Sequence, residues 1–372
     1  MEFKIRRNTF LEGIQKTLGI VEKKTTMPVL NNVLIRTEKD KIKIVATDKE
    51  IVLIADYEAE IIGQGDITIS ARKIYEMVRE IQGEDIHFKV NEQHWVTITS
   101  QKVVYRIPGL SADEFPNVFD ELDEGELFKI KGSVLEELIH MSSFAMSVDD
   151  MRKNLNGVYF EARKFGDVNG VRMVATDGHR LAIITKNLEG NFLEMEKGII
   201  IPRKGLGEIR KLVDGQTEDV LFGIRRGMCI IKTDGTVLKV SLIDAEYPDY
   251  NRVIPKDKGM EILFDRDPVL HALKRMNVIS SERYSGVVLT VTEDKMVLNS
   301  TNPDVGEAKD EIDVSYREQE LTVGFNVKYM IDAIEVIEGE KVSFELGQGM
   351  KPGIIRPTSD DNFMCIIMPL KI

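Results

Sequence analysis

The chain has 372 residues and a formal net charge of −12 at neutral pH. Its apolar fraction of 42% and charged fraction of 30% are those of a soluble globular protein, with no apolar run long enough to cross a membrane. No basic and then apolar leader follows Met1, so we also expect no secretion signal. Cys229 and Cys365 lack metal-ligand spacing, which favours two packed thiols in a reduced cytoplasm.

The first third of the chain predicts two helices among several short strands. Apolar residues at helical spacing predict a helix over 6–24, before Pro28, and a second helix over 71–81, with Gly83 just past its end. Alternating apolar and polar residues predict strands over 33–37, 41–47, 51–61, 86–90, 95–100 and 103–107. The segment 110–125 is acidic and aperiodic, which is typical of a linker.

The same order of elements occurs three times. The clearest copy is a pair of strand patterns around Ala175–Ala182, where Thr176, Asp177 and Gly178 have turn chemistry. Equivalent residues are 125 apart for Phe3 and Phe128, 129 apart for Thr47 and Thr176, and 131 apart for Arg72 and Arg203, and one third of the length is 124. The later helices are predicted over 133–146, 203–214, 268–281 and 326–337.

Repeats of this size indicate whole domains and not a solenoid of short units. We predict three domains, 1–126, 127–256 and 257–372, each of the α+β class with two helices and roughly eight strands. Two helices cannot cover both faces of so much sheet, so we expect them to lie together on one side.

Basic charge is concentrated in the predicted helices. The six helical windows together carry a net charge of +5. Because the whole chain carries −12, the remaining residues carry a net charge of −17. Lysine and arginine also favour any solvated helix, which is the simpler explanation. The functional alternative is a weakly positive helical surface that attracts phosphates without reading bases, since no base-reading motif is present.

An enzyme is the competing class of function. Asp177 and His179 lie two residues apart on a turn beside Arg180 and could form an acid–base pair. No nucleophile, phosphate-binding glycine loop or metal-ligand set accompanies them in the sequence, and His87, His94, His140 and His271 share no pattern. A three-domain protein scaffold that does not bind DNA is a third alternative.

Three tandem α+β domains, with Ala-Thr-Asp-Gly-His-Arg-Leu at 175–181 in the middle one, resemble the bacterial DNA polymerase III beta subunits, the sliding clamps. The resemblance spans the whole chain, and its order and spacing are more specific than any single segment. The segments are Leu155–Gly157, Thr176–Leu181, Ile201–Gly205, Tyr247–Tyr250, Gly324–Asn326 with Tyr329, and Met368–Ile372.

The resemblance implies a non-catalytic processivity factor without a cofactor. Two chains would form a head-to-tail homodimeric ring of six domains around double-stranded DNA, with helices lining the hole and continuous sheets outside. The implied partners are the replicative DNA polymerase subunit, the clamp loader and other proteins with a clamp-binding motif, in the cytoplasm and without a membrane. Closure of the ring would also remove unpaired edge strands.

The resemblance also assigns residues to the hole and to the joint between subunits. On the DNA side it implies Lys24, Arg72, Arg203, Lys204, Tyr284, Asn326 and Tyr329. At the joint it implies Lys73, Tyr105 and Ile107 on the first domain, and Val278, Ile279, Asp304 and Glu307 on the third. Lys73 would face the acidic segment of Asp304, Glu307 and Asp310, for which a solvated loop is the alternative.

A pocket for a short extended partner peptide is the last implied site, between the second and third domains. Its residues would be Leu155, Thr176, Gly178, His179, Arg180, Leu181, Pro248, Arg252, Val253, Ile366, Met368, Pro369 and Leu370. Simple core packing of the last strand is the alternative for its C-terminal members. Two departures from the family pattern are the Lys371-Ile372 ending and Lys153-Asn154, where some relatives have aromatic residues.

Overall fold

A computed structural model describes residues 1–21, 27–119, 127–188, 194–281, 283–347 and 349–371. It contains six helices among these residues, two in each predicted domain. They are α1 (Arg7–Thr17), α2 (Ala71–Glu80), α3 (Gly132–Ser143), α4 (Arg203–Val213), α5 (Arg266–Asn277) and α6 (Val327–Glu335).

Five helices lie within a few residues of their predicted bounds, whereas α1 is shorter than predicted. The Thr17 hydroxyl donates to the Ile14 carbonyl at 2.6 Å, and the Leu18 amide bonds only three residues back, to Gln15. These local bonds compete with the helical ladder at its end. The rest of the predicted helix, from residue 22 onward, lies outside the described residues.

The described residues form 25 strands, divided nine, eight and eight among the three repeats. The first repeat holds β1 (Glu2–Arg6), β2 (Asn32–Glu38), β3 (Lys41–Thr47), β4 (Ile51–Glu58), β5 (Glu60–Gly63), β6 (Asp66–Ser70), β7 (Asp85–Val90), β8 (Trp95–Ser100) and β9 (Val103–Pro108). The second holds β10 (Leu127–Lys131), β11 (Gly157–Phe165), β12 (Val168–Thr176), β13 (Arg180–Asn187), β14 (Ile199–Pro202), β15 (Asp219–Arg225), β16 (Met228–Thr233) and β17 (Thr236–Ser241). The third holds β18 (Met260–Asp265), β19 (Gly286–Thr292), β20 (Lys295–Asn302), β21 (Gly306–Asp313), β22 (Leu321–Asn326), β23 (Lys341–Leu346), β24 (Gly353–Pro357) and β25 (Phe363–Ile367).

One strand prediction is wrong in detail. The segment 51–61 forms two strands, β4 and β5, because Ala59 leaves the ladder and its amide donates to the Asp40 carbonyl at 3.1 Å.

Each repeat contains the same four-stranded antiparallel unit, which confirms the threefold repeat. The strand orders are β6-β2-β3-β4, β14-β11-β12-β13 and β22-β19-β20-β21. The turn before the last strand has the same chemistry each time, because an Asx side chain accepts from a backbone amide further along. Asp48 accepts from Ile51 at 2.7 Å, Asp177 from Arg180 at 3.0 Å, and Asn302 from Asp304 at 3.1 Å.

The chain divides into two compact units that split the central repeat. One contains 1–132 and 207–242, and the other contains 133–206 and 243–372. In each unit a strand of the central repeat pairs with a strand of a neighbouring repeat and makes one eight-stranded sheet. Leu238 of β17 pairs with Leu53 of β4 in the first unit, and Leu181 of β13 pairs with Ile366 of β25 in the second.

The two helices of a repeat are joined by an arginine at the start of the first helix. Arg7 donates from Nε to the Val78 carbonyl at the end of α2, at 3.1 Å, and Arg266 donates from Nη2 to the Glu335 carbonyl at the end of α6, at 2.9 Å. A cation at a helix C-terminus satisfies free carbonyls and favours the helix dipole. The expected side-by-side helices are thus present in the first and third repeats.

Both cysteines are buried free thiols, as the sequence predicts. Burial raises the pKa of the Cys365 thiol to about 12 and raises that of Cys229 as well. In the part of the chain that the structure describes, the helices are too short or too polar to span a bilayer.

Candidate functional site

The turn between β12 and β13 is held by Arg180, which is only 9% exposed. Its guanidinium donates to Asp177 Oδ2 at 3.1 Å, to Asp332 Oδ2 on α6 at 2.6 Å and to the Phe144 carbonyl after α3 at 2.7 Å. A buried cation is stable only when its charge and donors are matched in this way. Arg180 therefore fixes the turn to elements of two different repeats.

This arrangement occupies the carboxylate that the enzyme alternative would need. Asp177 Oδ1 accepts from the amides of His179 and Arg180, at 2.9 and 3.0 Å, while its Oδ2 accepts from the Arg180 guanidinium. Asp177 thus serves as a turn and ion-pair residue. The described residues also contain no cluster of three or more side chains that could hold a metal ion.

Gly178 has a conformation that the turn requires. Its φ is +90°, and an added Cβ would lie 3.1 Å from Arg152 Nη1. Arg152 donates from that same atom to the Asp177 carbonyl at 3.0 Å. Thr176 completes the turn by donating to the Arg180 carbonyl at 2.6 Å and accepting from the Gly178 amide at 3.0 Å.

A cleft of about 340 Å³ lies beside this turn. The Tyr329 ring forms part of it and lies 4.4 Å from the Arg180 guanidinium and 6.4 Å from the His179 ring. Tyr329, assigned by resemblance to the DNA side, therefore lies with His179 and Arg180 of the predicted peptide pocket. The lining residues are Met146, Ser147, Val148, Asp149, Arg152, Asp177, His179, Arg180, Lys328 and Tyr329.

Sequence reasoning did not single out the lining segment 146–149 or Arg152. Val148 is 82% exposed and Met151, beside it, is 93% exposed. Apolar residues that interrupt a polar stretch after a helix are the one signal that could have found this segment.

The apolar members of the predicted pocket divide into a floor and a rim. Leu181 and Ile366 are both buried and belong to one cluster with Val174, Ile183, Tyr250 and Ile354. Met368 is 43% exposed and Leu370 is 39% exposed, although their amides donate to the His179 and Gly324 carbonyls at 2.9 and 2.8 Å. Core packing therefore accounts for Ile366 but not for Met368 and Leu370.

Other predicted pocket residues lie on the segment 243–254, which we call the connector. Pro248, Arg252 and Val253 are exposed there, and Arg252 forms an ion pair with Asp249 at 3.1 Å. Leu155 is buried in a short 3-10 turn, where its carbonyl accepts from the Ser147 amide at 3.0 Å. Pro369 is half-buried between Met368 and Leu370.

Most residues assigned to the DNA side lie at the beginning of the second helix of a repeat. Arg72 is exposed in the first turn of α2, and Arg203 and Lys204 are exposed at the start of α4. Asn326 caps α6, since its Oδ1 accepts from the Lys328 amide at 3.0 Å.

Arg203 already has hydrogen bonds within the chain, and two other residues assigned to the DNA side do not lie at a helix start. Arg203 Nη2 donates to the carbonyls of Met146 and Ser147, at 3.0 and 2.8 Å. Tyr284 is half-buried just before β19, and Lys24 lies outside the described residues.

The residues assigned to the subunit joint flank two sheet edges. In the described residues, β9 is the last strand of a five-stranded sheet and carries Tyr105 and Ile107. The strand β21 is the last of a four-stranded sheet, so the acidic segment is a turn at Asp304 followed by an edge strand. Glu307 is exposed on β21, and Asp304 is exposed just before it.

The remaining joint residues differ in how available they are. Val278 is 79% exposed, and the neighbouring Ile279 carbonyl accepts from Asn302 Nδ2 at 2.6 Å. Lys73 forms an exposed ion pair with Glu76 at 2.8 Å. Ile107 is 7% exposed within its own domain, which sequence reasoning did not foresee.

Comparisons with known proteins cover the whole chain. Family models of the DNA polymerase III beta subunit match residues 1–119 as the N-terminal domain, 129–249 as the central domain and 251–371 as the C-terminal domain. The beta sliding clamp of Pseudomonas aeruginosa is 33% identical over 379 residues, and that of Vibrio cholerae is 28% identical over 378, each covering 100% of both chains.

Solved structures of such proteins superimpose over the full length. The sliding clamp of Bartonella birtlesii bound to griselimycin has a TM-score of 0.94 at 29% identity, with 100% of both chains covered. The DNA polymerase III subunit beta of Pseudomonas aeruginosa has a TM-score of 0.92 at 31% identity and the same coverage. The resemblance found in the sequence is thus confirmed, and this chain belongs to the family of DNA polymerase III beta subunits, the beta sliding clamps.

Proposed function

We propose that this chain is a DNA polymerase processivity factor, in which two copies close head to tail into a ring around double-stranded DNA. The observation that carries the proposal is the full-length correspondence with beta sliding clamps, covering all three repeats and 100% of each chain. A closed ring holds DNA by topology. Surface contacts can then stay weak, which favours sliding over arrest.

The two sheet edges give the ring a physical means of closure. An edge strand presents unpaired backbone groups, and pairing β9 of one copy with β21 of the other satisfies both edges. Val104 is 59% exposed on β9, so the edge also offers apolar surface. Lys73 on α2 is basic, whereas Asp304 and Glu307 are acidic, and this complementarity favours the head-to-tail pairing over pairing of like ends.

The placement of the basic residues supports contact with the DNA backbone. Arg72, Arg203 and Lys204 lie in the first turn of a helix, where the helix dipole favours a phosphate. Such contacts carry no sequence information and fall with rising salt. Sliding on any sequence is therefore expected.

The peptide pocket is the second part of the proposal. Buried Leu181 and Ile366 form an apolar floor, and the exposed Val253, Met368 and Leu370 would surround an extended peptide above it. Methionine adapts to different apolar side chains, which suits a site shared by several partners. We expect the replicative polymerase subunit, the clamp loader and other proteins with the same motif to compete for it.

In this proposal the protein acts in the cytoplasm by binding DNA and partner proteins and catalyses no reaction. Asp177, the carboxylate that an acid–base mechanism would use, is engaged by Arg180 and by backbone amides. A scaffold that does not bind DNA is the remaining rival.

Retention on DNA of different topology distinguishes a ring from an enzyme and from a scaffold that does not bind DNA. The chain is loaded by its clamp loader onto nicked circular DNA, which is then cut once with a restriction enzyme and passed through a gel-filtration column. A ring stays with the circle and is lost from the linear DNA, whereas equal retention on both forms would contradict the proposal. Sedimentation of the free protein should give the mass of two chains.

A further inference from the structure

The connector carries the exposed pocket residues Pro248, Arg252 and Val253, which we call the pocket wall. It also has one deeply buried polar side chain. Pro248, Arg252 and Val253 face solvent, whereas Tyr250 is 6% exposed at the start of the 3-10 turn Tyr250–Val253. The Tyr250 ring belongs to the same apolar cluster as Leu181. Its position thus links the wall of the pocket to the floor.

The Tyr250 hydroxyl has two charged partners on the neighbouring sheet. It donates to Glu161 Oε1 at 2.5 Å and accepts from Arg172 Nη1 at 3.2 Å. Glu161 of β11 and Arg172 of β12 are direct cross-strand partners. Hydrogen bonds to charged groups are stronger than neutral ones, and burial increases the loss when one is removed.

The two charged partners are themselves held in place. Glu161 is 8% exposed and accepts from Arg163 Nε at 3.1 Å, and Arg172 Nε donates to Thr185 Oγ1 on β13 at 2.8 Å. The Phe165 ring lies 4.6 Å from the Arg163 guanidinium and 4.1 Å from that of Arg172. Tyr250 is therefore bonded to a platform that spans three adjacent strands.

The bond of another connector residue is weaker. The Tyr247 hydroxyl donates to the Val174 carbonyl at 3.3 Å, which is a neutral and longer bond. Tyr250 begins the turn that carries Arg252 and Val253. Of the two tyrosine hydroxyl bonds, that of Tyr250 is therefore the nearer in sequence to the exposed pocket residues.

We infer that Tyr250, held by Glu161 and Arg172, is a positioning residue for the peptide pocket. It keeps the turn Tyr250–Val253 in one conformation before a peptide binds. The conformational entropy of this turn is therefore not lost on binding. This inference rests on the proposed function, because it assumes that the pocket binds partner peptides. Glu161 and Arg172 act through Tyr250 and need not touch the peptide.

The test is the substitution Tyr250→Phe in the full-length protein, which removes the hydroxyl and keeps the ring. The probe is a fluorescein-labelled peptide of the clamp-binding segment of the same organism's replicative polymerase subunit, followed by fluorescence polarisation. We expect its Kd to rise about three- to tenfold, while the sedimentation mass stays unchanged. Amide hydrogen exchange at residues 251–254 should become faster in the free protein.

Tyr316→Phe is the matched control. Tyr316 is also buried, and its hydroxyl donates to the Gln319 carbonyl at the same distance of 2.5 Å, but it lies outside the connector. A substitution that only lowers the free energy of unfolding still leaves the protein folded at the temperature of the assay. Such a substitution does not change the Kd for the peptide. Tyr316→Phe should therefore lower the melting temperature without raising the Kd for the peptide.

A deletion of residues 368–372 separates this inference from the proposed function. If the deletion abolishes peptide binding and Tyr250→Phe leaves the Kd unchanged, the positioning role is wrong and the pocket remains. If the deletion has no effect, the pocket itself is wrong. Should Tyr250→Phe fail to fold, Arg172→Lys keeps the charge beside Glu161 but loses the guanidinium bond, and an unchanged Kd in that variant would overturn the inference.

Discussion

Leu181 of β13 and Ile366 of β25 are direct partners across the seam where the central repeat joins the third repeat in one sheet. Both are 2% exposed, so the backbone ladder and the side chains hold this seam as firmly as a domain core. Met368, two residues beyond Ile366, is 43% exposed. The proposed pocket thus has a floor of core residues and a rim of surface residues, and substitutions in the two should behave differently.

Rim and floor substitutions should separate binding from stability. We expect Met368→Ala to raise the Kd for the polymerase peptide about tenfold, which is about 1.4 kcal/mol of binding free energy. Its free energy of unfolding should change little. Leu181→Ala should lower the free energy of unfolding by about 2–5 kcal/mol, because it leaves a cavity. Polarisation and urea denaturation measure the two effects. Met350→Ala, which also removes an exposed methionine side chain, is the control, and equal weakening by both methionine variants would contradict a specific rim.

An edge substitution should separate the subunits. Val104 is exposed on β9, and Val104→Asp would put a charge into the proposed strand pairing, so we expect monomers in a sedimentation experiment at micromolar concentration. Ile107→Asp should also give monomers, but Ile107 is buried in its own domain, and that variant should in addition lose stability. Val168→Asp, at an exposed valine of the central repeat, should remain a dimer. A dimeric Val104→Asp protein would argue against the β9 joint.

Salt dependence should reveal which basic residues contact phosphates. Removing one phosphate contact lowers the slope of log K against log salt by about 0.9 for double-stranded DNA. We expect Arg72→Ala and Lys204→Ala each to reduce the slope, as should the double substitution Arg203→Ala with Lys204→Ala. Lys4→Ala is the control, because Lys4 lies on a strand and pairs with Glu60 at 3.2 Å. An unchanged slope would remove the substituted residue from the DNA side.

The sequence predicted the repeats and the helices well because both depend on local signals. The turn chemistry of Asp48, Asp177 and Asn302 recurs at nearly constant spacing, and the helices have clear apolar faces. The resemblance assigned pocket residues, and the structure brings Leu181 and Ile366 together from distant parts of the chain.

Properties that depend on tertiary contacts could not be predicted in this way. The burial of Ile107, the bonds of Arg203 to two carbonyls and the link from Tyr250 to Glu161 each join residues far apart in the chain, or arise from packing that a local pattern does not encode. The strand β21 was ambiguous for a different reason. Its charged residues are typical of both an exposed loop and an edge strand.

A single peptide should bind to each chain, although the first repeat has a related apolar cluster. Val45 and Ile54 in that cluster correspond to Val174 and Ile183 of the central repeat, at the same spacing of 129 residues. There, however, a charged residue, Lys239, takes the position in the partner strand that Ile366 has in the pocket, so the apolar floor is incomplete. We expect calorimetric titration of the polymerase peptide to saturate at one per chain. Saturation at two would mean that the first repeat also offers a site.

Tyr57 should limit stability at alkaline pH. Burial, with a smaller contribution from Glu12, raises its pKa, and its hydroxyl has no hydrogen-bond partner among the described residues. The folded state thus keeps the phenol protonated, while the unfolded chain ionises near pH 10, so stability is full below about pH 10 and falls above it. At pH 7 we expect Tyr57→Phe to be neutral or stabilising by about 1 kcal/mol, because a desolvated hydroxyl is removed. At pH 10.5 its advantage over the parent should grow by about 1 kcal/mol. Urea unfolding at both pH values, with Tyr75→Phe as the control, measures this, and a constant difference would contradict it.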